Sequence, residues 1–301
     1  MILPYRARIR LFRFPLVTVL VSVLCIAVYV AQEMNQRQHI HHLRDFCTQR
    51  LDTGFLQSLA KLTGRTDAYA CGKMMLRLDA ASDARAEIER LAQWLGRRDA
   101  ALISHYRDIL HEVWQNYRRH APRDLTARLW YTPRDWNVSR MLTASVAHGS
   151  RIHLIANLFF FFAFAATLEM LLGPLLHSLL LVVLATGTHA VYSLATAGDP
   201  QALPTLGLSG VVMGVMALFT YFLPRVRIRC ILWLVVFWKR FSVPAWVFAL
   251  TYVGWDLYAS FAGTGGSTNL VAHLAGAGIG LLLGITLFRR KRHWAQSLVE
   301  G

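Results

Sequence analysis

The chain has 301 residues, of which 55% are hydrophobic and 16% are charged, and its apolar residues fall in runs long enough to cross a bilayer. This composition excludes a purely soluble globular protein. The net charge of +15 does not indicate nucleic-acid binding, because basic segments at 6–13, 225–240 and 289–292 flank apolar runs.

Six apolar runs predict six transmembrane helices, at about 14–31, 153–172, 175–194, 207–223, 243–262 and 269–288. An even number of spans places both termini on one side of the membrane. The three basic segments then share that side, whereas the short opposite loops, 195–206 and 263–268, contain no Lys or Arg. The positive-inside rule therefore predicts cytoplasmic termini. The first run lacks a small-residue cleavage site, so we interpret it as a retained anchor.

A polar stretch separates the first and second runs and predicts a helical insert on the outward side, because its apolar residues recur at helical spacing. The predicted organisation is a basic tail with the first helix at 1–31, the insert at 32–134, a core of five transmembrane helices at 135–288, and a basic tail at 289–301. The insert either recruits substrates or stabilises the protein passively.

Cys47 and Cys71 both lie in the insert. They either pair, which requires an oxidising compartment such as the bacterial periplasm, or remain two buried thiols. The histidines at 39, 41 and 42 have no second ligand group at a recognisable spacing, and the chain has no glycine-rich phosphate loop. The sequence therefore predicts neither a metal site nor a cofactor, and it carries no signal for the oligomeric state.

Ser209 opens the fourth predicted span and His273 opens the sixth. Both spans run inward from the outer surface, so both side chains are expected at about 3–6 Å along their helices. A serine beside a histidine is the minimal activated nucleophile. Small residues at four-residue spacing, which let helices approach closely in lipid, occur on both spans: Gly210, Gly214, Ala272, Gly276 and Gly280.

His153 and Asn157 are four residues apart on the second span and project from one face. Their N–H groups are predicted to stabilise an oxyanion, together with backbone N–H groups at the start of the Ser209 helix. The alternative is that Asn157 joins helices by a hydrogen bond.

Asp256 and Glu169 are the acidic residues of the predicted spans. We expect both to lie too deep to orient His273, so the site is predicted to be a Ser/His dyad without a carboxylate. Asp256 is expected instead to form an interhelical hydrogen bond or to face internal water.

Together these residues resemble the rhomboid intramembrane serine proteases over the second to sixth spans, with the first span as the expected sixth helix. Four motifs carry the resemblance. They are Arg-x-x-Thr-x-x-x-x-His-x-x-x-x-His-x-x-x-Asn at Arg140, Thr143, His148, His153 and Asn157; Glu-x-x-x-Gly at Glu169 and Gly173; Gly-x-Ser-Gly at Gly207, Ser209 and Gly210; and Ala-His-x-x-Gly-x-x-x-Gly at Ala272, His273, Gly276 and Gly280.

The resemblance implies an all-α, six-helix membrane bundle. The cysteine pair Cys47/Cys71 and the basic tails indicate a bacterial inner (cell) membrane with the insert in the periplasm, and a eukaryotic secretory membrane is the alternative. The resemblance also implies Ser209 as nucleophile, His273 as base, and His153 and Asn157 in the oxyanion hole. The expected activity is cleavage of single-pass transmembrane proteins near the outer face. Arg140, His148, Gly207 and Gly210 would support the site.

The chain departs from the family pattern at two positions. Met213 stands where many members have an aromatic residue that supports the imidazole, so we expect altered support of His273. Ser139 stands where many members have Trp. The alternative functions are a catalytically inactive relative that binds membrane clients, which normally lacks the Ser or the His, and a small transporter, which should carry mid-membrane charges.

Overall fold

The computed structural model describes residues 2–7, 13–50, 67–81, 83–97, 99–234, 237–264 and 269–300. It is mostly helical, at 76%. The chain forms two compact units, one of Met1–Val30 with Thr126–Gly301 and one of Ala31–Leu125. The boundary at residue 134 stays a prediction.

Helix α1 runs from Leu16 to Asp45 and is followed by one π-helical turn, Phe46–Arg50. In the described part of the Ala31–Leu125 unit, three helices follow: α2 (Asp67–Ala80), α3 (Ala84–Gly96) and α4 (Ala100–His120). Asp83 and Asp99 cap α3 and α4 by accepting hydrogen bonds from first-turn N–H groups, as short acidic side chains at this position do.

The apolar core of this unit includes the disulfide between Cys47 and Cys71, whose Cα atoms are 5.7 Å apart. Both cysteines are buried. The bridge joins the π-helical turn to α2. Of the two alternatives for these cysteines, a disulfide or two free thiols, the structure contains the disulfide. Cys25 and Cys230 are free, buried thiols.

The other unit continues with α5 (Leu125–Leu129), α6 (Val138–Val146), α7 (Arg151–Leu172) and α8 (Pro174–Ala195). Ser150 caps α7 through the backbone N–H of His153. Gly173, at φ +82°, ends α7, and Pro174 starts α8 immediately. A residue in this conformation followed by proline cannot continue a helix, so the chain reverses between two apolar helices.

The remaining helices are α9 (Ser209–Phe222), α10 (Ala245–Ala262), α11 (Leu270–Thr286) and α12 (Arg289–Glu300). Of the described helices, α1, α7 and α8 are long and apolar enough to cross a membrane, and α11 with α12 makes a fourth candidate that is bent by 87°. Helix α9 is apolar but has only 14 residues. The multi-pass helical character is therefore shown, and the count of six spans stays a prediction.

Glycines bring α9 and α11 into backbone contact. A methyl group added at Gly276 would overlap the carbonyl oxygen of Gly210, and one added at Gly280 would overlap that of Gly214. Both positions advance by four residues, so the two helices run in the same direction. Residues at corresponding positions beside these glycines therefore lie at similar heights along the pair of helices.

A three-stranded antiparallel sheet joins two distant segments of the chain, in the order β1 (Ile2–Ala7), β2 (Arg227–Leu234) and β3 (Phe237–Pro244). Ile2 lies opposite Leu232. The prediction of an all-α fold is wrong here, because the basic segment 225–240, expected only to flank apolar runs, contains β2 and the start of β3. Its sequence alternates strictly, with arginines at 225, 227 and 229 exposed and the apolar residues at 226, 228 and 230 buried, which is the period of a strand.

Candidate active site

Ser209 is the first residue of α9, and its side chain is partly exposed. The preceding residue, Leu208, provides no side-chain cap. The N–H groups of a first helical turn have no partners within the helix, and the helix dipole favours negative charge beside them. The start of α9 therefore offers hydroxyl and backbone donors together.

His273 lies in the first turn of α11, which Asn269 caps by accepting a hydrogen bond from Ala272 at 3.0 Å. A methyl group added at Gly210 would lie 3.3 Å from the carbonyl oxygen of Ala272, and Gly210 also contacts Gly276. Gly210 thus lies between the levels of Ala272 and Gly276. Ser209, about 1.5 Å nearer the N-terminal end of α9, is close to the level of His273.

His153 and Asn157 on α7 lie against the segment that leads into α9. A Cβ atom at Gly207 would come 2.8 Å from His153 Nε2 and 3.8 Å from Asn157 Nδ2. Asn157 is buried, and its Nδ2 has no hydrogen-bond partner among the described residues. A buried, unpaired N–H donor is costly, and it is the kind of group that an oxyanion would satisfy.

Gly207 is held in a conformation that only glycine adopts without strain, at φ +123°. Its N–H donates to the carbonyl oxygen of Ala144 on α6 at 2.8 Å. Just before it, Thr205 and Tyr131 exchange two backbone hydrogen bonds of 2.9 Å. These contacts fix the path of the chain into Ser209.

Arg140 and Thr143 act at a distance from Ser209. The Arg140 guanidinium donates to the carbonyl oxygen of Ala127 at 3.1 Å, and the Thr143 hydroxyl donates to that of Leu129 at 3.0 Å. Both tie α6 to α5 and so support the loop that carries Tyr131.

His148 is buried in the loop before α7, and its ring meets that of His153 edge to face at a centroid distance of 5.2 Å. Burial, followed by the charge of His153, lowers the pKa of His148 from 6.5 to about 4. His148 is therefore neutral at ordinary pH and packs beside His153.

Met213 is buried on α9, one turn after Ser209. A thioether is only a weak hydrogen-bond acceptor, so Met213 offers an imidazole packing contact and no strong hydrogen bond.

The expectation that Asp256 lies too deep to reach His273 is wrong. His273 Nδ1 and Asp256 Oδ2 are 2.8 Å apart. Asp256 therefore forms the expected interhelical hydrogen bond, and its partner is His273. Asp256 lies six residues before the end of α10 and His273 three after the start of α11. These offsets correspond to about 9 Å from the C-terminal end of α10 and about 5 Å from the N-terminal end of α11, and side chains span the difference.

Glu169 has a different role. Its carboxylate accepts hydrogen bonds from the backbone N–H groups of Val17 and Thr18 and from the Thr18 hydroxyl, each at 2.8 Å. It caps α1 from a neighbouring helix, which satisfies first-turn donors that the helix cannot satisfy itself.

Among the described residues, no group of three or more His, Cys, Asp or Glu side chains is placed to hold a metal ion.

Comparison with known proteins identifies the family of this chain. The sequence model of the Rhomboid domain matches residues 135–290, slightly more than half of the chain. A search among curated proteins returns no significant match. The matched region begins just before α6 and contains Ser209, His273, His153, Asn157 and Asp256. The chain belongs to the rhomboid family.

Proposed function

We propose that the protein is an intramembrane serine endopeptidase that cleaves single-pass transmembrane proteins near the outer face of the membrane. The rhomboid family is an intramembrane protease family that acts on transmembrane substrates, and the family also includes inactive members. In this chain Ser209 is the proposed nucleophile and His273 the proposed general base.

The observation that carries the proposal is the backbone contact between α9 and α11. Because Gly210 lies between the levels of Ala272 and Gly276, the hydroxyl one residue before Gly210 and the imidazole one residue after Ala272 belong to facing first turns. In lipid, such an approach requires small residues at the contact.

Catalysis begins when His273 removes the proton from Ser209 Oγ as the oxygen attacks the scissile carbonyl carbon. The negative charge that develops on the carbonyl oxygen faces Asn157 Nδ2, a ring N–H of His153 and the first N–H groups of α9. The imidazolium then returns the proton to the leaving amine as the C–N bond breaks. Water hydrolyses the acyl-enzyme by the same route.

The substrate arrives as a helix, whose amides are hydrogen-bonded and shielded. Cleavage therefore favours segments that Gly, Ser or Pro weaken near their outer end. We propose that the substrate enters between α7 and α10, where aromatic side chains in contact would form a gate. The Phe160 ring lies 4.8 Å from that of Tyr252 and 5.7 Å from that of Phe248. These side chains would have to separate to admit a helix.

The chain is a multi-pass membrane protein. We place it in the bacterial inner membrane with both termini cytoplasmic and the insert in the periplasm. The Cys47–Cys71 disulfide supports this orientation, because such bonds persist in oxidising compartments.

The test is cleavage of a purified single-pass substrate in proteoliposomes by the wild type, Ser209→Ala and His273→Ala. Ser178→Ala on α8 is the matched control, since its hydroxyl only bonds the carbonyl oxygen of Pro174. We expect cleavage by the wild type and Ser178→Ala alone.

Cleavage that survives loss of Ser209 or His273 would refute the proposed pair. If all four proteins bind the substrate and none cleaves it, the inactive client-binding relative is the better description. Substrate movement across the bilayer without cleavage would indicate the transporter.

A further inference from the structure

The hydrogen bond between His273 and Asp256 links two helices. Asp256 lies on α10 and His273 on α11, and their side chains are only 12% and 16% exposed. A hydrogen bond at 2.8 Å between largely buried polar groups fixes the orientation of both side chains. The imidazole therefore has one ring nitrogen engaged and one left over.

The identity of the acceptor determines which nitrogen carries the proton. An ionised carboxylate only accepts hydrogen bonds, so Nδ1 of His273 must donate. A neutral imidazole with its proton on Nδ1 has its lone pair on Nε2. That is the nitrogen required to take a proton from a serine hydroxyl.

Asp256 is the available acid. Helices α7 to α11 contain two acidic residues, Glu169 and Asp256. Glu169 is occupied with Val17 and Thr18. Of the other titratable groups, His153 on α7 interacts electrostatically with His273, and His189 on α8 bonds the carbonyl oxygen of Ala185.

We propose that Asp256 is a positioning residue that holds His273 with its proton on Nδ1 and stabilises the imidazolium formed during attack by Ser209. This inference rests on the proposed protease function and makes the site a triad drawn from α9, α11 and α10. Met213, a weak acceptor, leaves this carboxylate as the strong hydrogen-bonding support of the ring.

The proton balance keeps Asp256 ionised throughout. The Oγ–H bond of Ser209 breaks, the proton moves to Nε2, the Oγ–C bond forms and the carbonyl electron pair moves to oxygen. The positive charge on the imidazolium is stabilised by the adjacent carboxylate, and the proton leaves with the amine.

The experiment compares wild type, Asp256→Asn and Asp256→Glu in the full-length protein. Thr251→Val is the matched control, because Thr251 lies on α10 and its hydroxyl bonds only within that helix. For each variant kcat, KM and the melting temperature are measured, and Ser209→Ala gives the level of no activity.

For Asp256→Asn we expect kcat to fall by about 10²–10⁴-fold, with KM within about twofold, because an amide can stabilise the wrong tautomer. Asp256→Glu should recover at least about tenfold of the lost kcat because it keeps the charge.

If Asp256→Asn matches the wild type in kcat while Ser209→Ala is inactive, Asp256 has no positioning role and the protease proposal stands. If the wild type does not cleave, the protease proposal fails and this inference fails with it. Where Asp256→Asn does not fold, Asp256→Glu decides. If Asp256→Glu has the melting temperature of the wild type but activity no higher than that of Ser209→Ala, the proposal is overturned.

Discussion

Glu169 Oε2 accepts two hydrogen bonds from Thr18, one from its backbone N–H and one from its hydroxyl, both at 2.8 Å. The carboxylate lies on α7, and the donors lie in the first turn of α1. A buried acid that resembles a catalytic group in the sequence therefore caps a helix that is remote from it along the chain.

Glu169→Gln should lower the free energy of unfolding by about 2 kcal/mol, because charge-assisted bonds to backbone donors are replaced by weaker ones and an amide N–H₂ faces other donors. Thermal unfolding in detergent measures the change. Thr18→Val is the matched variant, since it removes only the hydroxyl bond and should cost less. Equal stability of Glu169→Gln and the wild type would show that the cap contributes nothing.

Gly276→Ala should abolish cleavage and lower the melting temperature, because the added methyl group overlaps the Gly210 carbonyl and separates α9 from α11. Gly278→Ala is the control on the same helix: nothing lies within 4 Å of its added methyl group, and alanine favours helix by about 1 kcal/mol. Similar losses in both variants would contradict the assignment of this contact.

Asn157→Ala should reduce kcat by about 10²–10³-fold with little change in KM, because one oxyanion donor is removed. The melting temperature should not fall, since Asn157 Nδ2 has no hydrogen-bond partner among the described residues and its burial is a cost to the folded state. Steady-state kinetics and thermal unfolding give both quantities. A stability loss with unchanged kcat would instead support the helix-joining role of Asn157.

Acid should destabilise the protein through His148. Its pKa is lowered to about 4 in the fold against an ordinary value of 6.5, so the unfolded chain binds the proton first as the pH falls. Stability is thus full above pH 6.5 and is lost between pH 6.5 and 4, by up to about 3 kcal/mol.

The melting temperature of His148→Gln should therefore fall less between pH 7.5 and 4 than that of the wild type. His105→Gln, at an exposed position on α4, controls for removal of a histidine. Parallel curves for wild type and His148→Gln would exclude this contribution.

Reduction of the Cys47–Cys71 bond should lower the free energy of unfolding of the Ala31–Leu125 unit by about 3 kcal/mol, as expected for a loop of this length. Cys47→Ser/Cys71→Ser should reproduce the loss without reductant. Thiol counting after alkylation of the denatured, unreduced protein should find two free thiols in the wild type. The control Cys25→Ser/Cys230→Ser keeps the bridge and should show none.

The apolar helices and the family were predictable from the sequence, because long apolar runs and spaced polar motifs are local signals. The sheet was missed although 225–230 alternates perfectly, since arginines beside an apolar run also indicate a cytoplasmic turn. Its partner strand β1 is far away in sequence, and pairing at that distance leaves no local signal.

The role of Asp256 was misjudged for a geometric reason. Depth was inferred from position within a run, and the run does not reveal where α10 ends or how its side chains reach α11. The His273–Asp256 bond depends on an offset of about 4 Å, which is comparable to the uncertainty of about two to four residues in a helix boundary inferred from sequence.

The pairing of Ile2 with Leu232 also bears on the order of assembly. During synthesis, β1 leaves the ribosome before α1, yet its partner β2 is made only after α9. The edge of β1 must therefore stay hydrated while most of the membrane helices insert, and closing so long a loop is entropically unfavourable until those helices hold its ends together. Pairing of β1 with β2 is accordingly a late event in the biogenesis of this protein.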